Sequence, residues 1–504
     1  MGLSEDVEEV ESELYRMQHS LIPKGLHIFG HRYTEYEMAS YAYGVAQLRS
    51  SGQEPDEEIL VQAQKDTACA TQNHELDGLM EALCDHFSPP RLAGDLFRSP
   101  EVFPTGYNLY QFDARQVPSA AALRRGWEIA ENTLRTYQSA HGVYPQSVAL
   151  IAWGLEASRT QGETVGQILG YLGVRPQAKS SLWDHKYELI PLSELGRPRI
   201  DVTVNICGFF RDMFPNVMDT LDDIFRMVYA ANEGPVENYF RAHTLSRQNR
   251  LIEEGHSPED AEELAAARLF GPPEGEYGTG ITGIIETKNW KDESELGANF
   301  TDSLHYIYTR HSIGRKEKAL YQDNLSVVDV ISQLRASTEY EITDLDHYYE
   351  FFGGLAKSVE MVKGQKSAMY ITDVTAGQLH TETVDKSIAR GLRTRVLNPT
   401  WIDGLLQHPY HGAQKIAERF ENVMGLTATT GAVDQHFYDD LEACYVQDEE
   451  RRRQMEENNP HAYLNILEQM LEYNSRGYWD ASDEQLERIK RAYLDLEDRI
   501  EDMQ

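Results

Sequence analysis

Val148-Ala149-Leu150-Ile151-Ala152-Trp153-Gly154 runs apolar for six residues and stops at a glycine, and Ile200-Asp201-Val202-Thr203-Val204-Asn205-Ile206-Cys207-Gly208 alternates and stops at another. The first stretch has the length and composition of a strand covered on both faces. The second puts Ile200, Val202, Val204 and Ile206 on one face and Asp201, Thr203 and Asn205 on the other, a strand with one more polar side. Between them, Val165, Ile168, Leu169 and Leu172 mark a helix that Gly173 terminates. After them, Asn216 is placed to cap a helix carrying Val217, Leu221, Ile224, Phe225 and Val228 on one face. Strand–helix–strand–helix order implies a mostly parallel sheet. Ligands of such sheets bind beyond the carboxyl ends of the strands. Trp153-Gly154 and Gly208-Phe209-Phe210-Arg211-Asp212 therefore fall on the expected functional edge.

Outward from this pair, an α/β, multi-domain chain is expected, with mostly parallel sheets flanked by helices and a helical C-terminal region. Residues 1–118 read as an N-terminal α/β segment with a Pro/Gly-rich loop, 119–397 as an α/β core with a helical and loop insertion at about 240–320, and 398–504 as the helical region. Within the first, an acidic helix is expected over 4–18, a short strand over 26–29, polar loop over 51–75 and a helix near 75–85. Further strands are expected over 325–331 and 368–373, with a helix over 344–361 between them. The last helix starts at Ser482 with Gln485 in capping-box position, and Leu486, Ile489, Tyr493, Leu496, Ile500 and Met503 form a heptad seam. Packing of that seam on the body is expected over a partner helix.

Of 504 residues, 41% are apolar and 26% charged, an ordinary globular balance, but 82 acidic against 47 basic residues give a net charge of −35. That charge argues against a nucleic-acid binder and against docking on anionic membranes. It suits a salty cytoplasm or a basic partner. Cys69, Cys84, Cys207 and Cys444 have neither zinc nor iron–sulfur spacing. No apolar run approaches the ~20 residues of a membrane span. Met1-Gly2-Leu3-Ser4-Glu5-Asp6 lacks the basic and apolar regions of a signal peptide, so a cytoplasmic chain is expected.

Chemistry-bearing motifs are sparse. Gly278-Thr279-Gly280-Ile281-Thr282-Gly283 spells GxGxxG, but Pro272-Pro273-Glu274-Gly275 precedes it instead of a strand, so it is a weak dinucleotide signal. A nucleotide-dependent oxidoreductase built on it is the reading furthest from the others. Gly364-Gln365-Lys366-Ser367 has the wrong spacing for a phosphate-binding loop. The residues alone stop at an acidic α/β protein with carboxylates and histidines at several strand ends.

At those same residues the sequence resembles a known family. Trp153-Gly154, Gly162-Glu163, Leu172-Gly173-Val174-Arg175-Pro176, Leu195-Gly196-Arg197-Pro198-Arg199-Ile200-Asp201-Val202 and Gly208-Phe209-Phe210-Arg211-Asp212 occur in the order found in the large subunit of aerobic cobaltochelatase and the porphyrin-binding large subunit of magnesium chelatase. Gly25-Leu26-His27, Pro104-Thr105-Gly106, Asn289-Trp290-Lys291-Asp292, Leu397-Asn398-Pro399-Thr400-Trp401 and Ala428-Thr429-Thr430-Gly431-Ala432-Val433-Asp434 continue the series, which looks like the C-terminal half of those longer subunits. Gly271, Tyr277-Gly278-Thr279-Gly280 and Phe352-Gly353-Gly354 resemble the cobalt branch, while Asp344 and His347 resemble the magnesium branch.

The resemblance implies a tetrapyrrole as substrate and a divalent metal inserted into it: Co2+ in a corrinoid-type ring of cobalamin biosynthesis, with Mg2+ or Ni2+ as alternatives. It implies an ATP-dependent ligase component that forms nitrogen–metal bonds, with ATP hydrolysed only by separate ATPase chelatase subunits. A further partner would be a separate chain supplying the missing N-terminal half; no nucleic acid and no membrane span are expected. A magnesium chelatase-like porphyrin-binding subunit and a non-catalytic tetrapyrrole carrier or regulatory homologue are the alternatives. Insertion requires a base for two pyrrole N–H protons and weak O or N contacts for the incoming ion. The matched motifs then nominate His27, Glu75, Glu163, Asp344 and His347 as catalytic, and Trp153, Asn205, Arg211 and Asp212 as substrate-binding. Glu163 and His347 are also candidates to touch the metal. Asp344 and His347, three apart at an expected helix start, are placed to face one cavity.

Overall fold

The computed structural model describes residues 14, 29–50, 54–93, 100–109, 114–177, 186–375 and 378–502. His27, the helix expected over 4–18 apart from Leu14, and the strand expected over 26–29 apart from Phe29 lie outside the described residues. Twelve strands are described. β1 (Arg91–Leu92) and β2 (Asn108–Leu109) pair with each other, as do β4 (Val174–Pro176) and β5 (Tyr187–Leu189). The remaining eight make one sheet: β3 (Ser147–Ala152), β6 (Asp201–Ile206), β7 (Leu269–Gly271), β8 (Tyr306–Tyr308), β9 (Ile313–Lys316), β10 (Val330–Arg335), β11 (Ala368–Asp373) and β12 (His380–Thr383).

Their order across the sheet is β12-β11-β10-β3-β6-β7-β8-β9. The five central strands, β11 to β7, are parallel, and β12 and β8 pair antiparallel at either side. The decisive pair is in full register, Ser147 against Asp201 through Ala152 against Ile206. From β3 the chain moves to β6 and β7 on one side, then returns to β10 and β11 on the other, so the order reverses between β3 and β10. Such a reversal leaves a crevice at the carboxyl ends of the two strands.

One face of the sheet buries Val148, Leu150, Val202 and Val204 against helices Ala120–His141, Glu163–Leu172 and Pro215–Ala230. The first two of these helices meet through glycine: a Cβ at Gly126 would overlap the Glu163 backbone carbonyl, and one at Gly166 would come within 2.7 Å of the Ala122 carbonyl oxygen. The other face buries Ala149, Ile151, Ile331 and Ile371 in a core shared with the helices of the C-terminal region. The seam of the last helix, Asp483–Asp502, packs on the body through Ile489, Leu496 and Ile500. No helix among the described residues is long and apolar enough to cross a membrane.

Several local expectations are corrected. The polar side of β6 is buried, because each of its longer polar groups meets a fixed partner: Asp201 accepts from Arg268 Nε and bonds His243 Nδ1, both at 2.8 Å, and Asn205 Nδ2 donates to the Tyr321 hydroxyl at 2.6 Å. Residues 51–75 contain the helix Glu57–Thr67, whose first turn is capped by Asp56 accepting from the Ile59 N–H. Asn216 does not cap the helix carrying Val217 to Val228: that helix starts at Pro215, since a proline tolerates the first helical position, so Asn216 lies inside it and its Nδ2 donates to the Ala114 carbonyl. The apolar run 325–331 is split between helix Lys318–Ser326 and β10. Residues 240–320 contribute β7, β8 and β9 to the main sheet as well as helices.

Asp201 gives the fold a pH signature. Burial works to raise its carboxyl, but Arg268, His243 and Arg247 outweigh burial and hold it down at about 2. A folded value below the unfolded ~3.9 contributes stability that is complete above that pH and lost as the pH falls towards the folded value. In urea unfolding, the advantage of the wild type over Asp201→Asn should shrink by about 2 kcal/mol between roughly pH 5 and pH 2. A difference that stays constant over that window would contradict this assignment.

Candidate functional site

Beside the strand-order reversal, the loops that follow β3, β6 and β7 meet at the carboxyl edge of the sheet. Trp153 ends β3 and starts the helix Gly154–Thr160. Cys207 ends β6 and accepts, through Sγ, the backbone N–H groups of Gly154 and Phe210 at 3.4 Å each. A Cβ at Gly154 would strike the Phe209 ring, and one at Gly208 would lie 2.6 Å from Tyr277 Cδ1 and from the Glu276 carbonyl oxygen. Glycine is thus what allows the three loops after β3, β6 and β7 to touch. Phe209 and Tyr277 remain 38% and 54% exposed, so aromatic surface lines a solvent-facing edge.

Arg211 and Asp212 hold this edge together. The Arg211 guanidinium donates to Asp212 Oδ1 at 2.7 Å and to the carbonyls of Pro272, Pro273 and Glu276, and it stacks on the Tyr277 ring. The Tyr277 hydroxyl donates to Asp212 Oδ2 at 2.7 Å. The pair therefore fixes the loop after β7 and with it the position of the Tyr277 ring. Asn205 lies wholly buried behind the edge.

Opposite Trp153, the expected 344–361 helix is broken into a different geometry: a π-helical segment, Tyr348–Gly353, precedes the α-helix Gly354–Lys363. The wider turn brings Tyr348 edge-on to Trp153 at 5.1 Å and His347 to 6.3 Å from the same ring. Trp153 Nε1 is buried with no hydrogen-bond partner among the described residues. Asp344 and His347 are not brought together. The Asp344 carboxylate is buried and receives Arg395 Nε at 3.0 Å, Arg419 Nε at 3.1 Å and the Glu341 N–H at 2.8 Å. His347 points to solvent, 57% exposed, with Nδ1 bonded to Asp346. That bond raises its pKa, against the opposing effect of partial burial.

A further carboxylate, Glu350, lies behind the loop that carries Tyr277. Its side chain is buried and accepts the Thr279 N–H at 2.7 Å and the Thr279 hydroxyl at 3.1 Å. Burial pushes its pKa up against those bonds. Gly278-Thr279-Gly280 therefore cradles a carboxylate of its own chain: a Cβ at Gly278 would lie 3.0 Å from Glu350 Oε1, and Gly280 has a φ of +77°. Close by, burial and the carboxylates of Glu286, Glu418 and Asp346 push Glu421 up to about 7. Among the described residues no group of three or more His, Cys, Asp or Glu is gathered as a metal cage.

The other candidates lie elsewhere. Glu163, at the start of its helix, pairs with Arg125 Nε at 3.2 Å, and Arg125 reaches the Val374 carbonyl. Its neighbour Glu156, missed in the sequence, is fully buried, and burial pushes it up to about 7 although Thr164 and Thr160 donate to it. Glu75 belongs to a helix of the amino-terminal segment, which has its own hydrophobic cluster around Tyr33, Tyr41, Val45 and Phe103, and it accepts the Gly30 N–H. Glu350 and Glu421 were not singled out from sequence. The GxGxxG was the available signal, read for phosphate rather than for a carboxylate.

A sequence model described as CobN/Magnesium Chelatase matches residues 54–486. The chain is 34% identical over 404 residues to the CobN component of aerobic cobaltochelatase from a Sinorhizobium species, covering 79% of this chain and 31% of that protein. It is 34% identical over 502 residues to the H component of magnesium chelatase from Cereibacter sphaeroides, covering 98% of this chain and 40% of that one. Among solved structures, the catalytic subunit of cobaltochelatase from Mycobacterium tuberculosis superposes with a TM-score of 0.87 at 29% identity, over 98% of this chain and 47% of that one. The chain thus spans less than half the length of these relatives.

Proposed function

Since the chain belongs to the CobN/Magnesium Chelatase family, we propose that it is a tetrapyrrole-handling component of a metal chelatase, that the ring docks on the Trp153–Tyr277 edge, and that cobalt is the metal inserted. The observation that carries this reading is the position of Glu350, a buried carboxylate with a raised pKa behind the loop that carries the exposed Tyr277 ring. The cobalt assignment rests on the resemblance of Gly271, Tyr277-Gly278-Thr279-Gly280 and Phe352-Gly353-Gly354 to the cobalt branch, the second of which supplies both Thr279 bonds to Glu350.

The chemistry divides among the residues as follows. A flat macrocycle gains area from Trp153, Phe209 and Tyr277, with Arg211 and Asp212 holding the loop that carries the last ring. Each macrocycle must lose two N–H protons as the ion enters. A carboxylate in a dry site binds a proton more readily than one in water, so Glu350 accepts from the ring. His347, held towards its protonated form by Asp346, is better suited to keeping a proton or pairing with a ring carboxylate than to ligating the ion. Glu421, near neutral and half-buried, passes protons towards solvent. The ion is substrate, and weak, exchangeable contacts suit an ion that must pass through. ATP hydrolysis, cytoplasmic location and the ATPase partner subunits belong to the same proposal.

Absorbance titration tests the docking edge. A water-soluble porphyrin and a corrin-type ring are each titrated into the chain and into Trp153→Ala. Ring binding that shifts the absorbance band, weakened about tenfold or more in the variant at a temperature where circular dichroism shows it folded, is expected. Absence of a shift with every ring, or equal affinity of the variant, contradicts the reading.

A further inference from the structure

Glu286 and Glu421 are carboxylates without a counter-charge. Glu421 is half-buried and Glu286 exposed, and neither makes a hydrogen bond or an ion pair among the described residues. Packing sets them together. Helix His411–Thr430 presents Glu418, Glu421 and Gly425 on one side, at spacings of three and four. Tyr349, in the π-helical segment, lays its ring on Gly425 so closely that no Cβ fits there. Helix Ile281–Glu286 packs on the same long helix and ends at Glu286. The nearby basic groups are already committed: Lys288 Nζ to Glu468 at 3.2 Å, Lys415 Nζ to Glu418 at 2.7 Å, and Arg419 Nε to Asp344 at 3.1 Å. Glu421 is left among like charges, and of these Glu286 acts on it most strongly.

Tyr349 points to the same place. Its side chain is wholly buried, its hydroxyl has no hydrogen-bond partner among the described residues, and the charged groups that act on it are Glu421, Asp346, Glu350 and Glu286, in that order. Buried hydroxyls are normally bonded, so one left open among carboxylates suits a ligand that carries both positive charge and hydrogen-bond donors. A hydrated divalent cation is such a ligand. We propose that Glu286, Glu421 and Tyr349 form a loading station for the divalent metal ion that is the substrate, which binds there with its water before it reaches Glu350, the residue after Tyr349. Among the described residues no three carboxylates close into a cage, so the ion is held through its own water, by contacts weak enough to release it. Its arrival sends the Glu421 proton to solvent: the acid gives up H+, and the carboxylate so formed faces the ion. The identity of the ion rests on the reading above, and the site on these three side chains, so either can fail alone.

Co2+ alone is the probe of the site. Crystals of the chain soaked in Co2+ and measured on both sides of the cobalt absorption edge should show anomalous density between Glu286, Glu421 and the Tyr349 hydroxyl, lost in Glu286→Gln/Glu421→Gln. In metal insertion with the ATPase subunits, the same double variant should raise the KM for Co2+ about tenfold or more, with a smaller change in kcat and unchanged ring affinity. Tyr349→Phe, which removes only the hydroxyl, should raise that KM about threefold. Both glutamines keep the volume of the acids and replace groups that bond nothing, so circular dichroism should not change. Absence of cobalt density at these side chains, density that persists in the double variant, or a fall in kcat at unchanged KM would each overturn the proposal. Cobalt density here in a chain that binds no ring would uphold the station and contradict the docking edge.

Discussion

Glu350→Gln should bind ring within about threefold of wild type yet insert metal 10²–10⁴ times more slowly when the ATPase subunits are supplied, the range lost with a positioned general base. The amide keeps the acceptor for Thr279 and the volume of the site, so the loop at 278–280 stays in place. What it removes is the proton acceptor. The pH dependence carries a sign: burial raises the Glu350 pKa, so the ionised form, and with it the rate, should rise with pH through a value above that of a free glutamate. In Glu350→Gln that limb should vanish. A variant that loses binding and rate together would make Glu350 a binding group. A parent that turns nothing over with any ATPase partner would favour the carrier reading instead.

Glu341→Ala should cost the fold about 3–5 kcal/mol in denaturant unfolding, the range found when one member of a buried charge network is deleted. Glu341 is wholly buried, 2.9 Å from Arg335 Nη2 and 3.6 Å from Arg390 Nε. Arg335 also meets Asp373 Oδ2 at 2.6 Å, and Arg390 also meets Glu382. Carboxylate and guanidinium groups around the ends of β10 and β11 thus balance one another, and removing the Glu341 carboxylate leaves two interior cations short of a partner. The segment so anchored, 336–347, leads directly into the π-helical turn that carries Glu350. Ring affinity should therefore fall in Glu341→Ala as well, in proportion to the unfolded fraction. A loss under about 1 kcal/mol would mean that water reaches these arginines.

The central sheet was legible because β3 announces itself as an unbroken apolar run and β6 by its alternation, and because glycine closes each where the chain must turn. The polar side of β6 misled, since Asp201 and Asn205 look solvated until Arg268 and Tyr321, far along the chain, are seen to meet them. Strands as short as β7 and β8 carry too few residues to show a period. The π-helical turn leaves no periodic mark at all, so a regular helix was expected there and His347 was given a partner, Asp344, that the structure turns towards Arg395 and Arg419 instead. For the proposed site, position after strands picked out Trp153, Arg211 and Asp212, and the structure places all three along one edge of the sheet. Nothing in the sequence picked out Glu350, because it lies within an apolar run and its partner Thr279 is some seventy residues earlier.

A ring-bound structure puts the most weight on a single result. With a porphyrin or corrin-type ring present, the macrocycle should lie in van der Waals contact with Trp153 and Tyr277, its pyrrole nitrogens turned towards Glu350. A ring found instead in the cavity of about 520 Å³ between Val117 and Ile224, or in that of about 730 Å³ between Trp290 and Tyr478, would contradict the account.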